Sequence, residues 1–159
     1  MGAAMQRNFY LPKMSSLKPV MLANLREMVK LQRAAHDSMF KFSVKKMFPL
    51  SLIFPQVDWI RIARMMNTLL EKCREQKIFL ATEKSSVDEA ELPFLNLLPE
   101  YFDALSKTAE LLGKAANFRQ NTLEKKTKFS VKEWNAILRE YNNASDDLAR
   151  IGMVMYKLY

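Results

Sequence analysis

An all-α fold is what this sequence predicts: four long amphipathic helices in an up-and-down bundle or an elongated helical array, preceded by an irregular N-terminal arm. Three observations carry the prediction. The 159 residues include only three glycines, too few for the turns and close backbone approaches of sandwiches, barrels and nucleotide-binding folds. Apolar residues recur at helical spacing over four long stretches. Each stretch is bounded by a proline or by a helix-capping phrase. A chain of this length, 49% hydrophobic and 26% charged, is long enough to bury a core as a single domain.

Residues 1–17 read as the arm, with Phe9, Tyr10, Leu11, Met14 and Leu17 as scattered apolar anchors. Residues 18–159 form the helical domain. Pro19 suits the first turn of helix one, expected over about residues 19–46. Leu22, Leu25, Val29, Gln32, His36 and Met39 make one row along it, and Met28, Leu31 and Ala35 a parallel one. Pro49 stops it. An apolar link follows, M-F-P-L-S-L-I-F-P-Q-V-D-W over residues 47–59, bracketed by Pro49 and Pro55. Its Asp58 is an N-cap for helix two, expected over about residues 58–80. Trp59, Ile62, Ala63, Met66, Leu69, Leu70 and Cys73 form that helix's apolar stripe.

An acidic connection spans residues 82–98, where Ser86 to Glu89 has capping-box form and can start a short helix. Pro93 and Pro99 frame F-L-N-L-L. Pro99 is expected to open helix three, over about residues 99–124, with Phe102, Leu105, Ala109, Leu112, Ala116 and Leu123 inward. Gly113 allows a close helix contact there or is simply tolerated, at a cost near 1 kcal/mol. After a basic turn, Ser130 to Glu133 is a second capping box. It opens helix four, over about residues 130–158, with Trp134, Ile137, Leu138, Tyr141, Ala144, Leu148, Ile151 and Met155 on its inner face. The pentapeptide K-F-S-V-K occurs at 41–45 and again at 128–132. Its flanks do not match, and no repeat period emerges.

The formal charge is +8, unevenly spread. Residues 1–81 hold 14 basic and 5 acidic groups, and residues 82–104 hold one and six. A basic body suits an anionic partner such as nucleic acid, an anionic lipid surface or an acidic protein face. The densest clusters are Lys41, Lys45 and Lys46, and Lys125, Lys126 and Lys128. No RNP signature, recognition helix or Arg-rich block accompanies them. No apolar run reaches the ~20 residues of a membrane span. Residues 1–26 contain no acid but do contain Arg7, Lys13, Lys18 and Arg26, the composition of a mitochondrial transit segment. Pro12 and Pro19 interrupt any long helix there, which argues against a cleavable leader. A myristoylation reading of Gly2 fails at Gln6, where Ser or Thr is wanted.

Catalytic apparatus is not evident. His36 is the single histidine and Cys73 the single cysteine, so disulfides and zinc clusters are excluded by counting. Both lie on apolar helix stripes, where a buried structural role is the commoner one. Carboxylate-bridged metal centres in bundles use Glu-x-x-His pairs, and none occurs. Asp146 and Asp147 diverge by about 100° on a helix and do not face one another. The expectation is a non-enzymatic chain with no cofactor, no metal and no small-molecule substrate. Apolar residues outside the four stripes point to docking on other subunits: Phe9, Tyr10, Phe48, Leu50, Leu52, Ile53, Phe54, Phe94, Leu95, Leu97 and Leu98.

A helix, a proline-containing link and Pro55-Gln-Val-Asp-Trp59 opening an amphipathic helix resemble the mitochondrial ATP synthase peripheral-stalk subunit d family. The resemblance covers about residues 30–75 and rests on Pro, Asp and Trp at fixed spacing, a motif that also serves as an ordinary N-cap. The Pro- and Trp-rich tail of animal members is missing, and the acidic segment has no counterpart. The resemblance implies a helical scaffold subunit on the matrix side of the mitochondrial inner membrane, packed against other protein subunits of a multi-subunit complex. The alternative expectation is a basic helical RNA-binding protein embedded in a ribosome-like assembly, with the six lysines above as its contacts.

Overall fold

Four helices account for nearly all of the described residues, because four stretches bury one face each and cap at least one end. The computed structural model describes residues 16–40, 57–83 and 87–158. Helix α1 runs Leu17–Phe40, α2 Trp59–Glu83, α3 Leu92–Leu123 and α4 Val131–Tyr156, with a single 3-10 turn at Glu89–Glu91. Among the described residues there is no strand. Neighbouring helices are antiparallel. Asn24 on α1 donates to Gln76 on α2 at 2.8 Å, and Lys77 on α2 pairs with Asp103 on α3 at 2.6 Å. On α3 and α4, Tyr101 lies beside Gly152 while Phe118 stacks on Trp134. Contacts between Lys18 and Leu158 and between His36 and Tyr141 align α1 antiparallel with α4. The result is an up-and-down bundle with α3 as its central helix, packed most extensively on α2 and α4.

Two of the expected caps form. Asp58 Oδ1 accepts from the Arg61 amide at 2.8 Å, and Ser130 Oγ accepts from the Glu133 amide at 3.2 Å. Each fixes an orphan donor of a first helical turn. Asp88 caps the 3-10 turn by accepting from the Ala90 amide; Ser86 lies outside the described residues.

The start of α3 differs from expectation. The helix begins at Leu92, with Pro93 in its first turn and Pro99 inside it. An interior proline costs about 3 kcal/mol through a lost hydrogen bond and a ring clash. The extra turns bury Phe94, Leu95 and Leu98 to 2% exposure or less. Each such burial stabilises by about 1.5–3 kcal/mol, so together they outweigh the proline. Helix α2 also runs longer, through the buried Leu80 to Glu83.

Leu123, expected inward, is 56% exposed. Because Met66 of α2 lies opposite Gly113 of α3, antiparallel counting carries Leu123 beyond the start of α2. On α1 the innermost row is Met21, Met28, Ala35 and Met39, while Leu22, Leu25, Val29 and Leu31 are only partly buried. Gly113 makes no unusually close helix contact: a Cβ there would meet Met66 Cβ at 3.6 Å, an ordinary separation. The expected end of helix one at about residue 46 lies outside the described residues, as does the arm up to residue 15.

Candidate functional site

The two groups with catalytic potential are not brought together. His36 Nδ1 lies 2.7 Å from the Tyr141 hydroxyl, and its ring packs on Phe40 with centroids 4.7 Å apart. Gln32 donates to the same hydroxyl at 3.3 Å. This cluster joins α1 to α4. Cys73 is 1% exposed on α2. Asn24 opposite Gln76 places Cys73 level with about residue 27 of α1, so the two side chains stand on the order of 13 Å apart along the bundle. Among the described residues no group of three potential metal ligands occurs.

Burial pushes the Cys73 thiol up from its ordinary 9.0, against the opposing pull of Ser106 and Lys77. Burial likewise raises Tyr101 and Tyr141 above 10.0. All three groups are neutral when protonated, and the folded chain holds those protons to higher pH than the unfolded chain does. Stability is therefore fully present below about pH 9 and falls as pH rises through these groups' folded values. Thermal melts are expected to be level from about pH 7 to 8.5 and to decline at about pH 10 and above. A melting temperature unchanged at that alkalinity would contradict this.

The expected docking residues divide. Phe94 and Leu95 are core: they are 2% and 0% exposed and form part of the α3 packing. They read as surplus because Pro99 looks like the start of the helix; Leu95 is sealed in the core, and Phe94 reaches only the floor of a groove. Phe9, Tyr10, Phe48, Leu50, Leu52, Ile53 and Phe54 lie outside the described residues. Of the basic clusters, Lys125, Lys126 and Lys128 are exposed on the turn between α3 and α4, whereas Lys41, Lys45 and Lys46 lie outside the described residues.

An exposed apolar surface does exist, elsewhere. The last turns of α4 read I-G-M-V-M-Y. Ile151 and Met155 face the core, but Met153, Val154 and Tyr156 face outward at 65%, 46% and 80% exposure. At the same end of the bundle, Val20 on α1 and Ile78 and Phe79 on α2 are also exposed. Beside the α4 residues, a groove of about 260 Å³ opens between α1, α3 and α4. It is floored by Leu22, Leu25, Phe94 and Met155, with Arg26 and Tyr156 in its wall. At the same end of the bundle, Lys18 Nζ donates to the Leu158 carbonyl at 2.9 Å. The signal was in the sequence: two helical turns apolar on every side have more apolar surface than one bundle face can cover.

No match was found for this chain among protein-family models, curated proteins or solved structures. Among the described residues, no helix is long and apolar enough to cross a membrane.

Proposed function

We propose that this chain is a non-catalytic helical scaffold or accessory subunit that packs against other protein chains of a larger assembly. The observation that carries the reading is the outward apolar side of the last turns of α4, Met153, Val154 and Tyr156. Contiguous exposed apolar surface next to a groove is what a helix-packing partner covers. The groove supplies a recess for one or two apolar anchors of that partner, with Arg26 placed to meet a carboxylate at its rim.

The finer reading, a matrix-side subunit of an ATP-synthase-like peripheral stalk at the mitochondrial inner membrane, rests on the resemblance over about residues 30–75. Within the described residues, Asp58 acts as the cap and Trp59, 7% exposed, as a core anchor. Those roles serve a stalk subunit and any other bundle equally.

The test is purification of the tagged chain from its native source, followed by mass spectrometry. A fixed set of partners in stable proportion is expected, and it is expected to be lost in the M153E/V154E double variant. Because both residues are exposed, the variant keeps its helical signal and its melting temperature to within a few degrees. A wild-type chain that elutes alone as a folded monomer, or partners indifferent to the double variant, would defeat the reading. The identity of the partners decides for or against the stalk.

A second reading, a basic RNA-binding protein, rests on the exposed Lys125, Lys126 and Lys128. Steeply salt-dependent RNA binding, weakened when these lysines are neutralised, is its expected signature.

A further inference from the structure

The opposite end of the bundle carries a different kind of surface. Between α3 and α4 the chain reads L-E-K-K-T-K-F-S-V-K-E over residues 123–133. Four lysines, Lys125, Lys126, Lys128 and Lys132, stand against two carboxylates, Glu124 and Glu133. Glu124 is already engaged by Lys126 at 2.5 Å and by Gln120 at 2.6 Å. Among the lysines sit two exposed aliphatic side chains, Leu123 at 56% and Val131 at 62%.

The end of α3 is closed by its own backbone. The amides of Glu124, Lys125 and Lys126 donate to the carbonyls of Gln120, Thr122 and Asn121 at 2.9, 3.1 and 2.9 Å. The last two bonds are the paired closure of a helix C-terminus whose next residue is left-handed. That residue is usually glycine, but here it is Lys125, with φ of 57°. A lysine is thus held where glycine would relieve strain.

We propose that this turn is a contact site for an anionic lipid surface. A basic rim meets phosphate and carboxylate headgroups. Leu123 and Val131 enter the boundary with the acyl chains. The turn can approach that boundary because the amides closing the α3 end are already paired. Nucleic acid fits less well. Single-stranded bases stack on open aromatic faces, and the one aromatic of the turn, Phe129, is 43% exposed but already packs on Phe118 at 5.7 Å and lies under the Arg119 guanidinium at 5.1 Å. The two most exposed apolar side chains of the turn, Leu123 and Val131, are aliphatic. This site is independent of the α4 surface at the other end of the bundle.

The experiment is co-sedimentation of the full chain with three probes: vesicles of phosphatidylcholine alone, vesicles of phosphatidylcholine with phosphatidylserine, and single-stranded RNA. Binding is expected to the phosphatidylserine vesicles, weakly or not at all to neutral ones, and to fall with added salt. Lys125→Gly is the deciding variant. It is expected to weaken vesicle binding about fivefold, the effect of one lysine near a charged surface. At the same time it is expected to raise the melting temperature by relieving the left-handed lysine. Misfolding therefore cannot imitate the result. Leu123→Ser with Val131→Ser is expected to reduce binding further at unchanged charge. Equal binding to neutral and anionic vesicles, no binding to either, or vesicle binding indifferent to Lys125→Gly would overturn the proposal. RNA bound more tightly than vesicles, with that binding lost in the lysine variant, would overturn it in favour of nucleic acid.

Discussion

Phe102→Ala is expected to lower the free energy of unfolding by about 3–5 kcal/mol. Phe102 is completely buried on α3, the helix that packs on both α2 and α4. Truncation removes the transfer energy of a phenyl ring and leaves a cavity in the core. Rigid helices seated on either side cannot collapse into it without breaking their own contacts. Domains of this size have about 5–15 kcal/mol in hand, so the loss is a large share of the whole. Urea denaturation followed by far-ultraviolet dichroism measures it as a lower midpoint. Phe129→Ala is the control, since Phe129 is 43% exposed at the tip and its removal leaves no enclosed cavity. Equal midpoints for the two variants would mean that the bundle centre is not packed as described.

Why the fold was legible, and the site only in part, follows from which signals are local. The α4 reading was nearly complete. Its Ser130 cap is a four-residue phrase, and its stripe from Ile137 to Met155 repeats over enough turns to fix one face. On α1 the periodicity identified the apolar side, but two neighbouring rows compete there. Which row lies innermost depends on where α2 and α3 sit, and periodicity along one helix carries no such information. Hence Met21 and Met28 are fully buried while Leu22 and Leu25 line a groove. The start of α3 lies seven residues before Pro99, which looks like a first-turn residue. Only the burial of Leu95 and Leu98 explains why the helix tolerates it. Taken as the helix start, Pro99 makes Phe94 and Leu95 look like surplus surface. The real surplus, Met153 and Val154, lies on the outer side of α4, where the stripe pattern says nothing about which exposed apolar residues adjoin.

Glu91→Ala is expected to cost about 2 kcal/mol, far more than a partly exposed carboxylate usually contributes. The reason is its position across the bundle. Helix α1 has no acidic residue in its first turn. Its orphan donors turn instead to Glu91, more than seventy residues away. The Leu17 and Lys18 amides each donate to Glu91 Oε2 at 3.1 Å, and the Ser16 hydroxyl donates to Oε1. Glu91 therefore caps a helix it does not belong to, and its charge opposes the positive end of that helix's dipole. Asp88 holds it in place, accepting from the Glu91 amide at 3.0 Å and from the Ala90 amide at 3.1 Å. The acidic segment thus pins the N-terminus of α1 to the start of α3, a role no reading of local sequence could assign. Glu91→Gln is expected to fall between wild type and alanine, because its amide oxygen can still accept from the Leu17 and Lys18 amides, while its NH2 cannot accept from Ser16 and the charge is gone. Hydrogen exchange separates this role from a general one: in Glu91→Ala, protection is expected to drop first at the amides of residues 17–20. A loss spread evenly over all four helices would mean that Glu91 supports the entry to α3 rather than the start of α1.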